Sequence, residues 1–395
     1  MNKIHFLSLG RQPIANRFVK NKNDKEFFFN LDVVFDNETK LVSLAEFVDL
    51  PMMFNKEYVY LSSASQTMRT HFKNNAILFK EKFHPSRVLE IGSNDGVFLK
   101  NFKTEEAVAV EPCSNFSKIT NKMGYKTYDQ FWDTSLAAQI KKDDGSFDLI
   151  FSANCMCHIP DIEGAFLAIE KVLNPDGVFV FEDPSLLEMI SRNSYDQIYD
   201  EHAHIFSVTS LANILKKCNL EIFKIDHLDV HGGSNRVYVK KKDSNRKIEP
   251  SVSIAINKES KFGISDIKTY TDFGESVKKS KKELIDILKE LKSKGKKIVS
   301  YGATSKSTTI FNYCGIDDTL IDYIVDTTPA KQGKFSPGVN IPVVSDKEGF
   351  DSSVDVAFLG AWNFKDELLK KEKSFLQRGG VFITHVPSVG LIIGE

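Results

Sequence analysis

The chain has 395 residues, 42% hydrophobic and 27% charged, so at about 100–200 residues per domain it should form two or three domains. Lys and Arg number 52 against 53 Asp and Glu, and this balance disfavours nucleic acid or an anionic membrane as a partner. No apolar run approaches the roughly 18–20 residues that cross a bilayer, and residues 1–6 do not resemble a signal peptide. We therefore expect a cytoplasmic enzyme of small-molecule chemistry, with its five dispersed cysteines reduced.

Residues 1–75 form the first predicted unit, a small irregular lobe. Its apolar stretches, among them Leu31 to Phe35 and Pro51 to Phe54, do not follow one period.

Residues 76–245 form the second predicted unit, in which short apolar runs alternate with helical stretches, as is typical of a mostly parallel sheet. A turn is predicted at Asn174 to Gly177. The predicted strands are Arg87 to Ile91, Ala107 to Glu111, Asp148 to Ala153, Gly177 to Glu182, Ile222 to Leu228 and Arg236 to Lys240, and the predicted helices include Trp132 to Lys141 and Ile162 to Leu173.

Residues 246–395 form the third predicted unit, and its boundary lies within the polar, lysine-rich stretch Lys241 to Pro250. An amphipathic helix is predicted at Ser276 to Leu291, and a second strand-helix alternation follows it. The fold class predicted is therefore α/β, with two sheet domains behind a small lobe. The strands predicted here are Lys297 to Tyr301, Ile321 to Val325, Val354 to Leu359 and Val381 to His385, with helices from Thr304 and Asp366.

A glycine turn follows the first strand of the second unit, in the segment Glu90 to Gly96. Glycine lets the backbone approach a ligand closely, and cofactors bind at the carboxyl ends of such strands. The spacing of Gly92 and Gly96 differs from the G-x-G-x-x-G of nicotinamide enzymes, which disfavours a dehydrogenase. It resembles the first motif of S-adenosylmethionine-dependent methyltransferases, where Glu90 would face the methionine end of the cofactor. The alternative is an ordinary strand-helix turn.

Glu111 ends the next strand, roughly 20 residues beyond the glycine turn, where a carboxylate can accept both hydrogen bonds of a ribose diol. The alternative is that Glu111 is a solvent-exposed residue that caps the end of the strand and binds no ligand. The third strand continues into a segment that resembles the same methyltransferases and would place Asn154 and His158 near the methionine side. Cys155, Cys157 and His158 are alternatively metal ligands, but no second cysteine pair completes a tetrahedral set, so we expect no metal.

The candidate catalytic residues lie in Ser194 to Ser207, where Tyr199, Glu201 and His202 supply proton donors and acceptors within four positions. An imidazole that titrates near neutrality suits a general base. By residue type alone, such a loop is more often ordinary protein surface.

Several longer motifs resemble the sugar C-methyltransferases, which methylate carbon 3 of nucleotide-linked 4-keto-deoxy sugars, commonly dTDP-linked. The resemblance runs in matching order from Leu7 almost to the C-terminus. It implies a Rossmann-like methyltransferase domain, a C-terminal Rossmann-like domain that helps hold the nucleotide sugar, and a lobe segment, Tyr58 to Ser63, that closes over both ligands. The motifs are Tyr195 to His202 with Phe206-Ser207, Val230 to Gly233, Tyr301 to Ser307, and Asp326 to Gln332.

The resemblance also implies roles for individual residues. His202 and Tyr199 would lie at the sugar. From the chemistry of a carbon nucleophile, we expect His202 to act as base, Tyr199 or a neighbouring donor to stabilise the enolate oxygen, and Glu201 to orient the imidazole as a triad acid does. The cofactor contacts implied are Glu90, Gly92, Asn94, Asp95, Gly96, Glu111, Pro112, Asn154, His158 and Ser62, and the substrate contacts are Tyr60, His231, Arg236, Tyr301, Thr304 and Lys306.

One departure from this family concerns its N-terminal zinc site, which two cysteine pairs normally form. Here no cysteine precedes Cys113, and Leu61 stands where the family has a histidine. We therefore expect a lobe without zinc.

Two other functions stay open at this point: an O- or N-methyltransferase on a related nucleotide sugar or sugar phosphate, and a non-catalytic protein that binds S-adenosylmethionine. In each case we expect a monomer without nucleic-acid or membrane partners.

Overall fold

The computed structural model describes residues 3–394, apart from the side chain of His231. Their strands form sheets of four, seven and six strands, and the predicted α/β class is confirmed. No helix in the described range has the length and apolar character of a membrane span.

The strands are β1 (Lys3–Pro13), β2 (Phe28–Asp36), β3 (Val42–Leu44), β4 (Val88–Ile91), β5 (Ala107–Val110), β6 (Lys126–Tyr128), β7 (Phe147–Ala153), β8 (Leu173–Pro184), β9 (His204–Ile205), β10 (Leu220–Leu228), β11 (Ser234–Lys241), β12 (Ile298–Tyr301), β13 (Tyr323–Asp326), β14 (Val343–Ser345), β15 (Val356–Leu359), β16 (Val381–Thr384) and β17 (Gly390–Ile392). The helices are α1 (Leu50–Met53), α2 (Gln66–Phe83), α3 (Ser114–Lys122), α4 (Thr134–Asp143), α5 (Ile162–Val172), α6 (Leu186–Ser191), α7 (Val208–Lys217), α8 (Pro250–Phe262), α9 (Ile267–Ser293), α10 (Ser305–Cys314), α11 (Asp346–Gly349), α12 (Lys365–Lys371) and α13 (Lys373–Gln377).

The N-terminal lobe is more regular than its sequence predicts, because it contains an antiparallel sheet of order β1-β2-β3-β9. The sequence hides this sheet for two reasons. Register shifts in β1 interrupt its alternation, and β9 comes from the distant loop after His202. The buried side chains of β2 include Phe35, whose ring stacks on Tyr270 of α9 at a centroid distance of 4.5 Å.

The seven-stranded sheet has the order β10-β11-β8-β7-β4-β5-β6. The strands β4 to β8 run parallel to one another, and β11 runs antiparallel to both of its neighbours, β8 and β10. The chain runs from β4 outward to β6 and then restarts on the other side of β4 with β7. Because β4, β5 and β7 run parallel, their carboxyl ends lie at one edge, and the change of direction opens a crevice there, where ligands bind in open α/β sheets. The predicted turn at Asn174 to Gly177 is instead an irregularity within β8, whose register against β7 shifts there.

The six-stranded sheet has the order β14-β13-β12-β15-β16-β17, and all its strands except β17 run parallel. The predicted amphipathic helix is part of the longer α9, and its residues Val277, Leu284 and Leu288 are buried as its spacing predicts. One buried apolar cluster joins the lobe, this domain and the candidate catalytic loop, for example through Leu9, Phe311 and Tyr195. The loop is therefore embedded between the lobe and the C-terminal domain.

Candidate active site

The glycine turn after β4 brings two loops into contact. Gly92 has a φ of +74°, and a Cβ atom there would lie 2.8 Å from the Sγ atom of Cys155, in the loop after β7. Glycine is needed at this position both for the backbone conformation and for the close approach. Asn94 then links the turn to the lobe, because its Oδ1 accepts a hydrogen bond from the Ser62 amide at 3.0 Å and its Nδ2 donates to the Tyr60 carbonyl at 3.0 Å.

Glu111 lies beyond β5 with both carboxylate oxygens directed at the neighbouring backbone. Its Oε2 accepts a hydrogen bond from the Asn94 amide at 2.7 Å, and its Oε1 accepts one from the Cys113 amide at 2.8 Å. Burial raises the pKa of Glu111 even though both hydrogen bonds act in the opposite direction. Each oxygen retains a lone pair, so the carboxylate can also accept from two hydroxyl groups.

Two further buried acids lie behind this edge. The Oε2 of Glu90 and the Oδ1 of Asp95 have no hydrogen-bond partner within residues 3–394. Burial, reinforced by the charge of Glu111, raises the pKa of Glu90 well above its ordinary value. Buried carboxyl oxygens without a hydrogen-bond partner fit a ligand that brings positive charge and hydroxyl groups. S-adenosylmethionine has both, so the residues present fit this cofactor.

A cavity of about 850 Å³, including the part open to solvent, lies at this edge of the sheet, and its lining includes Glu111 but not Glu90 or Asp95. Aromatic side chains such as Phe131 and Trp132 supply much of its wall, and a mostly apolar pocket with a few polar groups is typical of cofactor sites. Eight of the predicted residues line it: Tyr60, Ser62, Gly92, Asn94, Glu111, Pro112, Asn154 and His158.

His202 is buried, and its ring is oriented by the backbone of its own loop. Its Nδ1 lies 2.6 Å from the carbonyl oxygen of Gln197. Because a carbonyl only accepts hydrogen bonds, the neutral imidazole holds its proton on Nδ1, which makes Nε2 the basic nitrogen. The ring lies between Tyr199, at a centroid distance of 4.0 Å, and His158, at 5.4 Å. His158 lines the cavity, so His202 lies next to the cofactor pocket.

Tyr199 is held as a neutral phenol. Burial, together with the nearby charge of Glu201, raises its pKa well above the ordinary value. It can therefore donate a hydrogen bond at neutral pH.

The predicted role of Glu201 needs correction. Its carboxylate accepts hydrogen bonds from Asn16 Nδ2 at 2.6 Å and from the Tyr58 hydroxyl at 2.9 Å, both in the lobe. The position that a triad acid would occupy, at Nδ1 of His202, belongs to the Gln197 carbonyl. Glu201 therefore ties the catalytic loop to the lobe. Sequence reasoning had no signal for Asn16, whereas Tyr58 belongs to the predicted lid segment.

The C-terminal domain holds the other side of this loop. Trp362 Nε1 donates to Asp196 Oδ2 at 2.6 Å, and His385 Nε2 lies 3.2 Å from the same oxygen. Thr309 Oγ1 donates to the Ile198 carbonyl at 3.3 Å. These contacts fix the turn that carries the Gln197 carbonyl. The sequence analysis did not single out Trp362 or His385.

Two lysines of the C-terminal domain face the loop. Burial lowers the pKa of Lys306 and of Lys331, while the charge of Glu201 acts on each in the opposite direction. Lys331 donates to the Ala303 carbonyl at 2.7 Å, and Lys306 has no ion pair within the described residues. Lys331 was not among the predicted site residues, although it lies in the motif Asp326 to Gln332.

Three predicted substrate contacts have other partners. Arg236 is buried against Glu182, with 2.7 Å between Nε and Oε1. The Tyr301 hydroxyl donates to Glu372 at 2.7 Å. Thr304 caps α10 through the Ser307 amide and donates to the Gly360 carbonyl. The structure thus engages these groups in holding the fold. The side chain of His231 lies outside the described residues.

The segment after β7 meets His202 in a way that the sequence did not predict. The ligand atoms of Cys157, His158 and His202 all lie within 4.8 Å of one another, and they are the one such group of three or more among the described His, Cys, Asp and Glu side chains.

Three protein-family models together match nearly the whole chain. Residues 1–54 match a putative zinc binding domain, residues 65–225 a methyltransferase domain, and residues 229–387 a C-methyltransferase C-terminal domain. C-methyltransferase NovU of Streptomyces niveus is 29% identical over 98% of this chain and 94% of its own. The chain belongs to the S-adenosylmethionine-dependent C-methyltransferases.

Other similarities of this methyltransferase are more local. Sterol 24-C-methyltransferase erg6 of Aspergillus fumigatus is 36% identical over 67 residues, which are 17% of this chain and 16% of that protein. A solved structure of a methyltransferase from Thermotoga maritima, titled a possible histamine N-methyltransferase, is 20% identical with a TM-score of 0.35, covering 44% of this chain and 90% of its own. A second, from Clostridium acetobutylicum, is 17% identical with a TM-score of 0.34, covering 44% and 92%. The fold assignment rests on the strand order above.

The lobe of this methyltransferase matches a zinc-binding family without having its thiolate ligands. Residues 1–54 contain no cysteine and one histidine, His5. Structural zinc sites are typically built from cysteine and histidine, so the residues present do not fit such a site. A lobe without zinc stays a prediction.

Proposed function

We propose that this methyltransferase transfers a methyl group from S-adenosylmethionine to carbon 3 of a nucleotide-linked 4-keto-deoxy sugar, through an enolate. The observation that carries the proposal is His202, whose basic nitrogen is set by the Gln197 carbonyl and whose ring stacks on His158 at the wall of the proposed cofactor pocket. We further propose that the enzyme acts as a cytoplasmic monomer in the biosynthesis of unusual sugars.

The cofactor side of the reaction depends on the edge of the seven-stranded sheet. S-adenosylmethionine supplies an electrophilic methyl group when it is bound. Glu111 would accept hydrogen bonds from the ribose hydroxyls, and Glu90 would face the positively charged methionine end. The apolar wall of the cavity would lower the local polarity around the bound cofactor, which strengthens electrostatic interactions.

The substrate side needs a base and a donor at neighbouring positions. A ketone at carbon 4 acidifies the proton on carbon 3, and Nε2 of His202 would remove this proton. Tyr199, held neutral by burial, would donate to the enolate oxygen, and such aimed stabilisation of developing charge is often a large catalytic contribution. The carbon nucleophile would take the methyl group that S-adenosylmethionine supplies, and the bond from that methyl to sulfur would break to leave S-adenosylhomocysteine. His202 would keep the proton until solvent removes it.

An anionic group on the substrate fits the C-terminal domain. The ammonium groups of Lys306 and Lys331 both act on Glu201, so they lie on the side of the catalytic loop that faces the C-terminal domain. Lys306 stands in the first turn of the ten-residue helix α10, where the helix dipole favours negative charge. We therefore assign these lysines to the diphosphate of the nucleotide sugar.

The test replaces His202 with asparagine and follows two reactions. Methyl transfer to a 4-keto sugar nucleotide should fall by about 10²–10⁴-fold, the usual contribution of a positioned base. In deuterium oxide, with S-adenosylhomocysteine bound, the unmodified enzyme should wash deuterium into carbon 3, and His202→Asn should stop this exchange. His227→Asn, at a histidine in β10 with a side chain 45% exposed, is the matched control.

The position of the new methyl group, read by NMR, separates the proposal from its alternatives. A methyl on oxygen or nitrogen with no exchange at carbon 3 would refute C-methylation. Unchanged exchange and methylation in His202→Asn would refute the base. Tight S-adenosylhomocysteine binding without turnover on any 4-keto sugar nucleotide of a broad panel would favour a non-catalytic binding protein.

A further inference from the structure

The cluster of Cys157, His158 and His202 has the composition of a soft-metal site. Cys157 and His158 lie in one short turn at residues 156–158, directly after β7, and His202 reaches them from the catalytic loop. The Nε2 of His158 is buried and has no hydrogen-bond partner among the described residues. A buried polar atom without a partner is unfavourable and calls for a ligand.

The chemistry of these three donors selects the class of ion. One thiolate and two imidazoles are preferred by zinc and similar transition metals, whereas magnesium and calcium prefer oxygen ligands. Ligand atoms around a tetrahedral zinc ion lie roughly 3.3–3.6 Å apart, given Zn–S and Zn–N distances of about 2.3 and 2.0 Å. The separations here reach at most 4.8 Å, so side-chain movements of about an ångström bring the donors to that spacing.

The surroundings of His202 agree with this assignment. A metal-bound histidine generally donates its other ring N–H to a carbonyl or carboxylate, which fixes the tautomer. The Nδ1 of His202 does so to the Gln197 carbonyl at 2.6 Å, and this presents Nε2 as the ligand atom. Three protein ligands leave the fourth tetrahedral position open, as in catalytic rather than structural zinc sites.

We propose that Cys157, His158 and His202 bind one zinc ion or similar soft divalent cation, and that the bound ion inhibits methyl transfer. Binding replaces the thiol proton of Cys157, which is released to solvent, with a metal–sulfur bond. It also occupies Nε2 of His202 and prevents this nitrogen from accepting the carbon-3 proton. The site itself does not depend on the proposed function, whereas the inhibition rests on it.

The binding test uses the full-length protein after dialysis against a chelator. Titration calorimetry with zinc chloride should give one equivalent, and cobalt(II) should give the absorption of a thiolate-bound tetrahedral ion. Cys157→Ala should abolish the thiolate absorption and weaken zinc binding by about 100-fold or more, because a three-ligand site loses one donor. Cys218→Ala, at a buried cysteine in the seven-stranded-sheet domain, is the matched control.

His158→Gln provides a second test in case Cys157→Ala does not fold, which circular dichroism would reveal. The metal site is refuted if the native protein binds no zinc, or if neither variant weakens its binding. The inhibition is tested by deuterium exchange at carbon 3, which zinc should stop and the chelator should restore. Exchange that continues with zinc bound would refute the inhibition, whereas no exchange in the metal-free enzyme would refute the proposed function instead.

Discussion

Glu111→Gln changes the charge at the proposed ribose end of the cofactor pocket with almost no change in side-chain size. In the structure, each carboxylate oxygen of Glu111 accepts one backbone hydrogen bond, from Asn94 at 2.7 Å and from Cys113 at 2.8 Å. One lone pair on each oxygen is left for a ribose hydroxyl. A glutamine keeps one acceptor oxygen and replaces the other with an NH2 group that donates.

The expected effects on stability and on affinity can be separated. The NH2 group faces a backbone N–H in both the free and the bound protein, so this lost hydrogen bond lowers the free energy of unfolding, by about 1–3 kcal/mol. The lost hydrogen bond to a ribose hydroxyl exists only in the complex and lowers affinity. A hydrogen bond to a charged group contributes about 1.5–3 kcal/mol, so S-adenosylhomocysteine should bind about 10- to 150-fold more weakly.

Titration calorimetry with S-adenosylhomocysteine measures this affinity, and urea unfolding measures the stability. Glu106→Gln is the matched control, because Glu106 directly precedes the opposite end of β5 and is a partly exposed residue that pairs with Lys103. The control should leave the affinity unchanged. Unchanged affinity in Glu111→Gln would show that its carboxylate does not contact the cofactor, and an equal loss in both variants would show a non-specific effect.

Two further predictions concern buried contacts that hold the site. Glu182→Gln should lower the free energy of unfolding by about 3–5 kcal/mol, because Arg236 would be left buried without its carboxylate. Burial raises the pKa of Glu182, but hydrogen bonds and charges from His71 and Arg236 outweigh it and the net pKa is lowered. The ionised carboxylate of Glu182 should therefore stabilise the protein fully at a pH above its unfolded-state pKa, and this stabilisation should be lost as the pH falls through its folded-state pKa. The free energies of unfolding in urea of the wild type and of Glu182→Gln should thus converge at low pH. A difference that stays constant with pH would refute the ion pair. Trp362→Phe removes the hydrogen bond to Asp196 and should lower kcat. The affinity for S-adenosylhomocysteine, measured by calorimetry, should stay unchanged, because Trp362 contacts the candidate catalytic loop and does not line the cavity. An unchanged kcat would refute this positioning role.

Local patterns in the sequence determined most elements of the seven-stranded sheet and the edge at which its parallel strands end. The runs that predict β4, β5 and β7 are mostly apolar and do not alternate with exposed polar residues, because nearly every residue of these strands is buried. Gly92 follows β4 and Glu111 follows β5, and parallel strands bring their carboxyl ends to one edge. Periodicity and turn residues act over a few positions, so they can be read without knowledge of the fold.

Only the tertiary structure decided which partner each polar side chain has. The resemblance placed Arg236 at the sugar, and the analogy to a catalytic triad placed Glu201 at His202. The fold instead pairs Arg236 with Glu182, and it pairs Glu201 with Asn16 and Tyr58. These partners lie 54 to 185 positions away along the chain. A buried charge or hydrogen-bonding group must be matched by whatever the fold packs beside it, and residue spacing along the sequence does not specify that neighbour.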